Sequence, residues 1–446
     1  MRLVHLSRLM RLSPGVGAEH FGCLTQGVSA RRLLYARPHT AAVSASGILK
    51  RRPERCLDTL RVARPNQPTM PSTPPPPAST TTAVTALREH FANVVLPMWR
   101  GPGFNHALQL PYEALDATGG EPLPAQRYRA MACARQLFTF AQAGDMVHAG
   151  VLFDSLTRTF RDADHGGWFY SVDALGVPLD TTKDLYTHAF VVFACAEYAR
   201  RSDNLDALKL VHSTTALIQS NFAADGDLFN AALNLDFSKV TGTPLQNPLM
   251  HLTEAWLAAC EATRDNVFGA ALRRLAGAVA RHFVHAPSGC IAELPIGASG
   301  NRLEPGHQFE WYWLVRQAGA LFNGTGLTDA LARAFTFAQQ HGVNPDNGGV
   351  CASLDEAGKV SDASQRIWAQ TEYLRALASH DDPAVRAALP QQIARFQRCF
   401  LHEHGWFECK TSSGEIARTD MPSTTPYHLA TAYAALPVDA EFRAGT

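Results

Sequence analysis

Pairs of histidine and glutamate three residues apart occur twice in the second half of this 446-residue chain, as His251 with Glu254 and His307 with Glu310. Side chains three positions apart on a helix share one face, so each pair would present an imidazole beside a carboxylate. An imidazole titrates near neutral pH and can take up or release a proton. A single pair of this kind is more often a surface pair or a buried histidine with its partner. Two pairs together indicate a site for proton transfer.

Residues of similar character recur about every sixty positions along the chain. The series is Arg135, His188, His251, His307, Trp368 and His428, with separations of 53, 63, 56, 61 and 60 residues. Glu372 follows Trp368 at the i,i+4 spacing that also shares a helical face. A fixed period indicates a repeated structural unit. Recurrence in phase therefore favours one shared pocket over a set of unrelated surface residues.

The segment around His307 also predicts the charge of its imidazole. Pro305 and Gly306 precede it, and proline is favoured in the first turn of a helix, while glycine allows a close approach by backbone or ligand. In the first turn the helix dipole disfavours a positive charge. We therefore expect a neutral His307 that can act as a base.

Helices must carry these residues, and the hydrophobic pattern supplies twelve of them. Stretches with helical periodicity alternate with loops rich in Gly, Asp, Asn and Pro, and they begin near residues 84, 124, 145, 182, 204, 246, 265, 306, 327, 364, 382 and 425. The fourth stretch is apolar on almost every side, whereas its partner at 204–221 has one polar face. Even-numbered helices are therefore predicted to lie inside and odd-numbered helices outside, with the polar residues near the inner helices' N-terminal ends at one mouth.

Three glycine-rich loops, at 165–176, 347–358 and 405–414, predict short β-hairpins at the ends of helical pairs. Six helical hairpins can stack as an open solenoid or close into a ring. An open solenoid needs polar terminal caps, but the last stretch, 426–436, is as apolar as the others. The prediction is an all-α fold with a closed ring of six helical hairpins and short β-hairpin loops.

Composition limits the function classes. The chain is 46% hydrophobic and 18% charged, which is typical of a folded enzyme, and its 40 basic residues equal its 40 acidic ones. No positive field attracts nucleic acid or an anionic membrane, and no run of about 18 apolar residues could span one. The cysteine total is odd, nine, and lacks any CxxC pair. We expect no disulfide framework and a reducing, cytoplasmic setting.

The first 83 residues differ from the rest. Residues 1–64 are rich in arginine and poor in acids, which resembles an organelle transit peptide, and residues 65–83 form a Pro/Thr-rich linker that contains Met70. We favour a disordered or wrongly included extension over 1–83, a catalytic domain over 84–438 and a short tail over 439–446.

Tryptophans indicate the ligand class, because the apolar faces of sugars stack on aromatic rings while charged groups bind the hydroxyls. Trp311, Trp313 and Trp368 lie near the polar series. Trp256 and Trp313 come deeper in their helices and are interpreted as core residues. A sugar-sized ligand is predicted.

Five segments then resemble one family, the N-acylglucosamine 2-epimerase superfamily, in the family's own order over nearly all of 84–438. They are Asp184 to Phe190, Asn247 to Glu254, Glu304 to Trp311, Arg366 to Glu372 and Thr425 to His428. The resemblance implies an (α/α)6 barrel and proton transfer on an opened sugar without metal or other cofactor. It also implies that His307 and His428 are the acid/base residues and that Arg135 binds substrate. The pocket positions that it implies are Tyr186, Asn247, His251, Glu254, Glu310, Trp368 and Glu372.

The motifs Met-His-Leu-x-Glu-Ala and Thr-Pro-Tyr-His look most like mannose isomerases. The expected reaction interconverts mannose and fructose through an enediolate, with His428 as the base at C2 and His307 as its partner. Return of the proton to C2 would give a 2-epimerase for N-acylglucosamine, mannose/glucose or cellobiose. A glycoside hydrolase using two of the three glutamates, a metal-dependent isomerase and a peptide-binding scaffold also stay open. The expected partner is a small sugar, and a homodimer stays open.

Overall fold

A computed structural model describes residues 80–437 of the chain. The predicted extension falls outside this range except for its last four residues, which already belong to the first helix. The predicted tail at 439–446 also lies outside the described residues.

Helices dominate the described range. The α-helices are α1 Thr80–His90, α2 Leu96–Arg100, α3 Ala130–Gln142, α4 Met146–Phe160, α5 Leu185–Ser202, α6 Leu205–Asn221, α7 Gln246–Thr263, α8 Asn266–His282, α9 Pro305–Ala318, α10 Leu327–Gly342, α11 Ile367–Ser379, α12 Pro383–Arg386, α13 Leu389–Phe400 and α14 Thr425–Ala435. A π-helical turn joins α1 to α2, and α12 leads directly into α13. When α1 with α2 and α12 with α13 are each counted as one rod-shaped helix, the fourteen helices of the described range correspond to the twelve predicted. Only α3 starts well after its predicted position, because Arg127–Arg129 forms a strand instead.

Six helices form the inside of the ring, and they are the even-numbered rods of the prediction. α3, α5, α7, α9, α11 and α14 each contact the next, and α14 contacts α3, which closes the ring. α4, α6, α8, α10 and α13 pack outside their inner partners, with α1 against α13 and α14. Helix α5 is buried along nearly its whole length, whereas α6 buries one face, as expected for inner and outer positions. The architecture is an (α/α)6 barrel.

Short antiparallel sheets lie in the loops. Their strands are β1 Phe104–Asn105, β2 Leu110–Pro111, β3 Ala114–Leu115, β4 Arg127–Arg129, β5 Ser171–Asp173, β6 Pro178–Asp180, β7 Lys183–Asp184, β8 Ala232–Leu233, β9 Val240–Gly242, β10 Ser353–Leu354, β11 Val360–Asp362, β12 Gln365–Arg366, β13 Leu401–His402, β14 Gly405–Trp406, β15 Cys409–Lys410, β16 Ile416–Arg418 and β17 Met421–Pro422. Strands β4, β7 and β12 run directly into inner helices and pair with the β5–β6, β8–β9 and β15–β16 hairpins. The hairpins therefore surround the N-terminal ends of the inner helices.

The three predicted hairpins are confirmed as β5–β6, β10–β11 and β15–β16. Their turns contain Gly176, Gly358 and Gly414, whose positive φ angles of 85°, 86° and 90° favour glycine. The β8–β9 hairpin was not predicted, because its turn has no glycine and places Phe237 at a φ of 61° instead.

The described helices include none that is long and apolar enough to cross a membrane. The seven cysteines in the described range are free thiols, as expected from their number and spacing.

Candidate active site

A cavity of about 230 Å³ opens where the N-terminal ends of the inner helices meet. Eight of the ten predicted site residues line it, namely Arg135, Tyr186, Asn247, His251, His307, Glu310, Trp368 and His428. They come from all six inner helices. The sixty-residue period thus corresponds to successive inner helices that bring their polar residues to one mouth.

His307 is held by Glu293, a carboxylate that also lines the cavity and that the sequence did not indicate. Its Nδ1 lies 2.7 Å from Oε1 of Glu293 and 3.5 Å from Oε2 of Glu304, and the Nε2 amide of Gln246 also binds Glu293. Burial by itself lowers the pKa of His307, but the attraction of Glu293, its hydrogen bond, and the charges of Glu304 and Glu310 raise it to about 9. The expectation of a neutral His307 was wrong, because two nearby carboxylates outweigh the helix dipole.

His428 has the opposite electrostatic setting. Its Nδ1 lies 2.9 Å from Oε1 of Glu372, on the side away from the cavity. Burial lowers its pKa well below the usual value, and the positive charge of Arg135 and the neighbouring His251 act in the same direction. A neutral imidazole whose Nδ1–H donates to Glu372 carries its lone pair on Nε2. His428 is therefore equipped to accept a proton, while His307 is equipped to donate one.

Trp368 contacts both histidines. Its ring centre lies 4.9 Å from that of His307 and 5.8 Å from that of His428, with interplanar angles of 32° and 35°. A Cβ atom on Gly306 would come within 2.6 Å of the Trp368 ring, so glycine is needed there. The close approach expected at Gly306 is thus made by this indole, which packs against both histidines.

His251 and Glu310 line the cavity in surroundings that favour their uncharged forms. The Nδ1 atom of His251 lies 3.2 Å from Oε2 of Glu254, yet burial lowers the pKa of this histidine to about 4. Burial, together with the charges of Glu372 and Glu254, raises the pKa of Glu310 well above its usual value. A protonated carboxyl can donate a hydrogen bond to a sugar oxygen.

Arg135 lines the cavity and is packed among aromatic side chains. Its Nη2 donates to the Tyr186 hydroxyl at 2.6 Å, and its guanidinium carbon lies 4.2 Å and 4.8 Å from the ring centres of Phe190 and Tyr427. Buried polar atoms without a hydrogen-bond partner in the described range include Nε of Arg135, Oδ1 of Asn247 and Oε1 of Glu310. Such atoms are costly unless a ligand or water satisfies them, which suits a polyhydroxylated substrate.

The other two predicted residues, Glu254 and Glu372, lie beneath the cavity and contact its histidines. Between them is Arg375, which donates through Nη1 to Glu372 at 2.9 Å and through Nη2 to Glu254 at 3.4 Å. Glu254 also accepts a hydrogen bond from the Tyr427 hydroxyl. These charges form a buried layer that holds His251 and His428 in place rather than a surface that meets substrate.

Two residues that the sequence associated with the pocket, His188 and Trp311, do not line the cavity. His188 is fully buried, with Nδ1 2.7 Å from the Asp184 carbonyl and Nε2 accepting from the Trp168 amide at 3.2 Å. Trp311, expected to stack on a sugar, is also fully buried and donates to Oε1 of Gln246 at 2.9 Å. Both have structural roles.

Imidazole and carboxylate atoms also form three groups that could hold a metal ion, each with ligand atoms within 4.8 Å of one another. They are His251, Glu254 and Glu310; Glu293, Glu304 and His307; and Glu310, Glu372 and His428. Each group contains a carboxylate that already accepts a hydrogen bond from a protein donor. Arg375 donates to Glu254 and to Glu372, and Gln246 donates to Glu293. The positive charge of Arg375 thus already neutralises a carboxylate in two of these groups, the one with Glu254 and the one with Glu372.

A second cavity, of about 400 Å³, lies at the other mouth of the ring. It is lined by residues toward the C-terminal ends of the inner helices, including Glu197, Glu261, Trp313 and Gln317. Arg375 and Glu254 border this cavity as well, so the buried layer separates the two. Trp313, interpreted from sequence as a core residue, is half-buried here, 3.7 Å from the guanidinium of Arg375.

The sequence is similar to a known family and to several named proteins. The family profile described as N-acylglucosamine 2-epimerase (GlcNAc 2-epimerase) matches residues 112–432. A protein named mannose-6-phosphate isomerase from Rhizobium meliloti (strain 1021) is 29% identical over 372 residues, which cover 76% of this chain and 92% of that protein. A protein named D-mannose isomerase from Thermobifida fusca is 32% identical over 182 residues, 38% of this chain and 42% of that protein.

The fold was compared with solved structures. The structure of cellobiose 2-epimerase from Spirochaeta thermophila DSM 6192 superposes with a TM-score of 0.70 at 23% identity, covering 83% of this chain and 100% of that chain. At this identity the likeness shows a common fold.

Proposed function

The chain belongs to the N-acylglucosamine 2-epimerase family and is a sugar isomerase or 2-epimerase, and from this we propose that it interconverts mannose and fructose. One observation carries the proposal. Two histidines packed against the same tryptophan in one cavity have opposite electrostatic surroundings, because Glu293 raises the pKa of His307 and burial lowers that of His428. Surroundings that separate two pKa values in this way suit one group to act as an acid and the other as a base.

In the proposed mechanism, Nε2 of His428 removes the proton from C2 of the opened aldose. The C1 carbonyl oxygen receives a proton from the imidazolium of His307, while Arg135 stabilises the negative charge that develops on the oxygens. Protonated His428 then delivers its proton to C1, and the C2 hydroxyl returns a proton to His307 as the ketone forms. Each histidine ends in its starting state. Delivery of the proton to the opposite face of C2 would give the epimer instead.

Cavity size and similarity support a monosaccharide. Pockets for drug-sized ligands measure about 300–1,000 Å³, and the 230 Å³ cavity is smaller than these. Two sequence relatives are named for mannose or its phosphate. We therefore favour mannose over cellobiose and keep 2-epimerisation of mannose/glucose, N-acylglucosamine or cellobiose as the second candidate.

The contacts of Glu254 and Glu372 bear on two alternatives, hydrolysis and metal-dependent isomerisation. A hydrolase would present two carboxyl groups across the scissile bond. Of the three glutamates considered for that role, Glu310 lines the cavity, but Glu254 and Glu372 are engaged by Arg375 beneath it. A metal ion in either group that contains Glu254 or Glu372 would have to displace the same arginine. We expect activity to survive EDTA, and loss of activity that a divalent ion restores would favour the metal mechanism.

The test is incubation in D₂O with mannose, glucose, fructose, cellobiose and N-acetylmannosamine, followed by NMR. Isomerisation through an enediolate exchanges the hydrogen at C2 of mannose and forms fructose labelled at C1. Deuterium at C2 with a second aldose as product would identify an epimerase. Release of a reducing sugar from cellobiose, without exchange in any monosaccharide, would contradict the proposal in favour of a hydrolase.

A further inference from the structure

We propose that Glu408 is a further substrate-binding residue, protonated on Oε1, which donates a hydrogen bond from that oxygen to a hydroxyl at C3, C4, C5 or C6 of the sugar. The inference rests on the proposed function, because it concerns the same substrate in the same cavity. Glu408 lines the cavity and is 6% exposed, yet neither the sixty-residue period nor the family motifs indicated it.

Glu408 lies in the loop between β14 and β15, which contacts two inner helices of the site. Its backbone carbonyl accepts a hydrogen bond from the Ile367 amide at 3.1 Å, at the start of α11 and directly before Trp368. Its side chain accepts from Oγ1 of Thr425 at 2.8 Å, at the start of α14 and three residues before His428. These contacts hold the carboxyl group against the N-terminal ends of the helices that carry Trp368 and His428.

The two carboxyl oxygens of Glu408 have different surroundings. Oε2 accepts hydrogen bonds from Nε1 of Trp406 at 3.0 Å and from Oγ1 of Thr425 at 2.8 Å. Oε1 makes no hydrogen bond to any residue between 80 and 437, and it is not among the buried atoms that lack a partner there. Because the residue lines the cavity, Oε1 is the oxygen that a bound sugar can reach.

A proton on this carboxyl group belongs on Oε1, because two donors already point at Oε2. Burial raises the pKa of Glu408 and outweighs the hydrogen bonds and the charges of Arg418 and Arg366, which act in the opposite direction. In the part of the chain that the structure describes, neither arginine forms an ion pair with Glu408, and Arg418 pairs with Asp420 at 2.6 Å. Burial also raises the pKa of the adjacent Cys409 thiol, which disfavours a thiolate beside the carboxyl group. The protonated form presents one O–H donor to the cavity.

The roles of the other cavity residues limit which sugar oxygen this donor meets. In the proposed mechanism, the oxygen on C1 receives a proton from His307, and Arg135 stabilises the charge that develops on the oxygens of C1 and C2. The hydroxyls from C3 to C6 are left for other residues. A hydroxyl oxygen can accept a hydrogen bond while its own hydrogen is donated elsewhere. Glu408 is therefore expected to favour a sugar that keeps this hydroxyl over the corresponding deoxy sugar.

The experiment compares the native protein with Glu408→Gln and Glu408→Met on mannose in mildly acidic solution. The glutamine amide can still accept from Trp406 and Thr425 and donate from its NH2 group, whereas methionine has no such donor. We expect kcat/KM to stay within about threefold of the native value in Glu408→Gln and to fall about tenfold, through KM, in Glu408→Met. Glu415→Gln is the matched control, because Glu415 is an exposed glutamate in the turn of the β15–β16 hairpin, and it should leave kcat/KM unchanged.

The 3-, 4-, 5- and 6-deoxymannoses identify the hydroxyl. In the native protein, one of them should have a kcat/KM about tenfold below that of mannose, because it leaves the O–H donor of Glu408 without an acceptor. In Glu408→Met this difference should shrink to less than about threefold, since the donor is gone. Each ratio is measured within one protein, so a smaller folded fraction in the variant does not change it.

Ionisation of Glu408 gives a further measurement. As pH rises through its raised pKa, the native protein loses the proton that Oε1 donates, so its kcat/KM should fall relative to that of Glu408→Gln, which does not titrate. His307 is present in both proteins, so its own ionisation cancels in the ratio.

Three results would overturn the inference and leave the proposed function standing. They are equal losses in Glu408→Gln and Glu408→Met, deoxy-sugar ratios that Glu408→Met does not change, and a ratio of native to Glu408→Gln activity that is constant with pH. If no sugar exchanges its C2 hydrogen, the proposed function fails instead. Mannose binding to the native protein and to Glu408→Met, followed by tryptophan fluorescence, then tests the contact separately, and equal affinities would remove it as well.

Discussion

The two mouths of the ring carry cavities of different size and character. The larger, of about 400 Å³, lies at the C-terminal ends of the inner helices, and no histidine lines it. The smaller, of about 230 Å³, lies at their N-terminal ends and is lined by His251, His307 and His428. Volume therefore does not locate the site in this molecule. We propose the site at the smaller cavity because polar groups with displaced pKa values converge there.

Loop length explains why the mouths differ. At the C-terminal mouth, the connections from inner to outer helices have two to eight residues, and two of them turn through Asp203 and Arg264 in left-handed conformations. At the N-terminal mouth, the connections back to the next inner helix have 22 to 29 residues, enough for hairpins and for additional side chains such as Glu293. Only the long connections at the N-terminal mouth therefore have enough residues to add side chains to a cavity.

Replacing an acid/base histidine should have the largest effect. His428→Ala and His307→Ala each remove one proton-transfer partner and are expected to lower kcat for aldose–ketose conversion about 10²- to 10⁴-fold. At the other mouth, Gln317→Ala should change kcat less than twofold, since Gln317 lines only the larger cavity. Steady-state assays with circular dichroism as a folding control test this. A near-normal rate in either histidine variant would end the distinction between the mouths.

The layer between the cavities should matter most for stability. Arg375→Met would leave Glu254 and Glu372 buried without their cation, and we expect the free energy of unfolding to fall by about 3–5 kcal/mol. Arg200→Met is the matched control, because Arg200 also pairs with a glutamate three residues earlier, yet its side chain is 42% exposed. That variant should lose less than about 1 kcal/mol. Urea unfolding compares the two, and equal losses would show that burial is not the cause.

A smaller effect should appear in the pH profile. His307 must be protonated to donate, so activity should fall as pH rises through about 9. In Glu293→Gln the pH at which activity falls should move toward 6.5, the ordinary histidine pKa. Glu261→Gln, at the other mouth, should leave that pH unchanged. The dependence of kcat on pH, measured for the native protein and both variants, tests this prediction. If activity of Glu293→Gln falls at the same pH as in the native protein, a group other than His307 causes the fall.

The same pair predicts how stability changes with pH. The pKa of His307 in the folded protein, about 9, lies above the unfolded value of 6.5. The Glu293 pair therefore stabilises the fold fully below pH 6.5, and this contribution is lost as pH rises from 6.5 to 9. The stability difference between the native protein and Glu293→Gln, measured by urea unfolding, should shrink over that interval.

Periodicity in the sequence was sufficient to predict the twelve helices, the inner set and six residues of the cavity wall, whereas Tyr186 and Asn247 were implied by the family resemblance. Each periodic feature follows from spacing along a single helix, which local sequence encodes. The protonation of His307 could not be predicted in this way, because Glu293 comes from a loop that has no periodic phase. Arg375 was missed as well, since a helical arginine three residues after Glu372 resembles an ordinary surface pair until the ring is closed around it. Gln246, directly before the Asn247 motif, was the one missed contact with a local signal.

Closure of the ring depends on two helices that lie far apart in the sequence. Nη1 of Arg135 donates to the Thr424 carbonyl and Nε2 of Gln136 to that of Ser423, contacts that span 289 and 287 positions. The rest of the ring can form between neighbours while the polypeptide is still being synthesised, but this seam must wait for α14. Because α14 also brings His428, the proposed base reaches the cavity in the same step that seals its wall. On the proposed mechanism, a nascent chain that stops short of α14 would hold Arg135 without the group that removes the proton, and we expect it to be inactive until the seam forms.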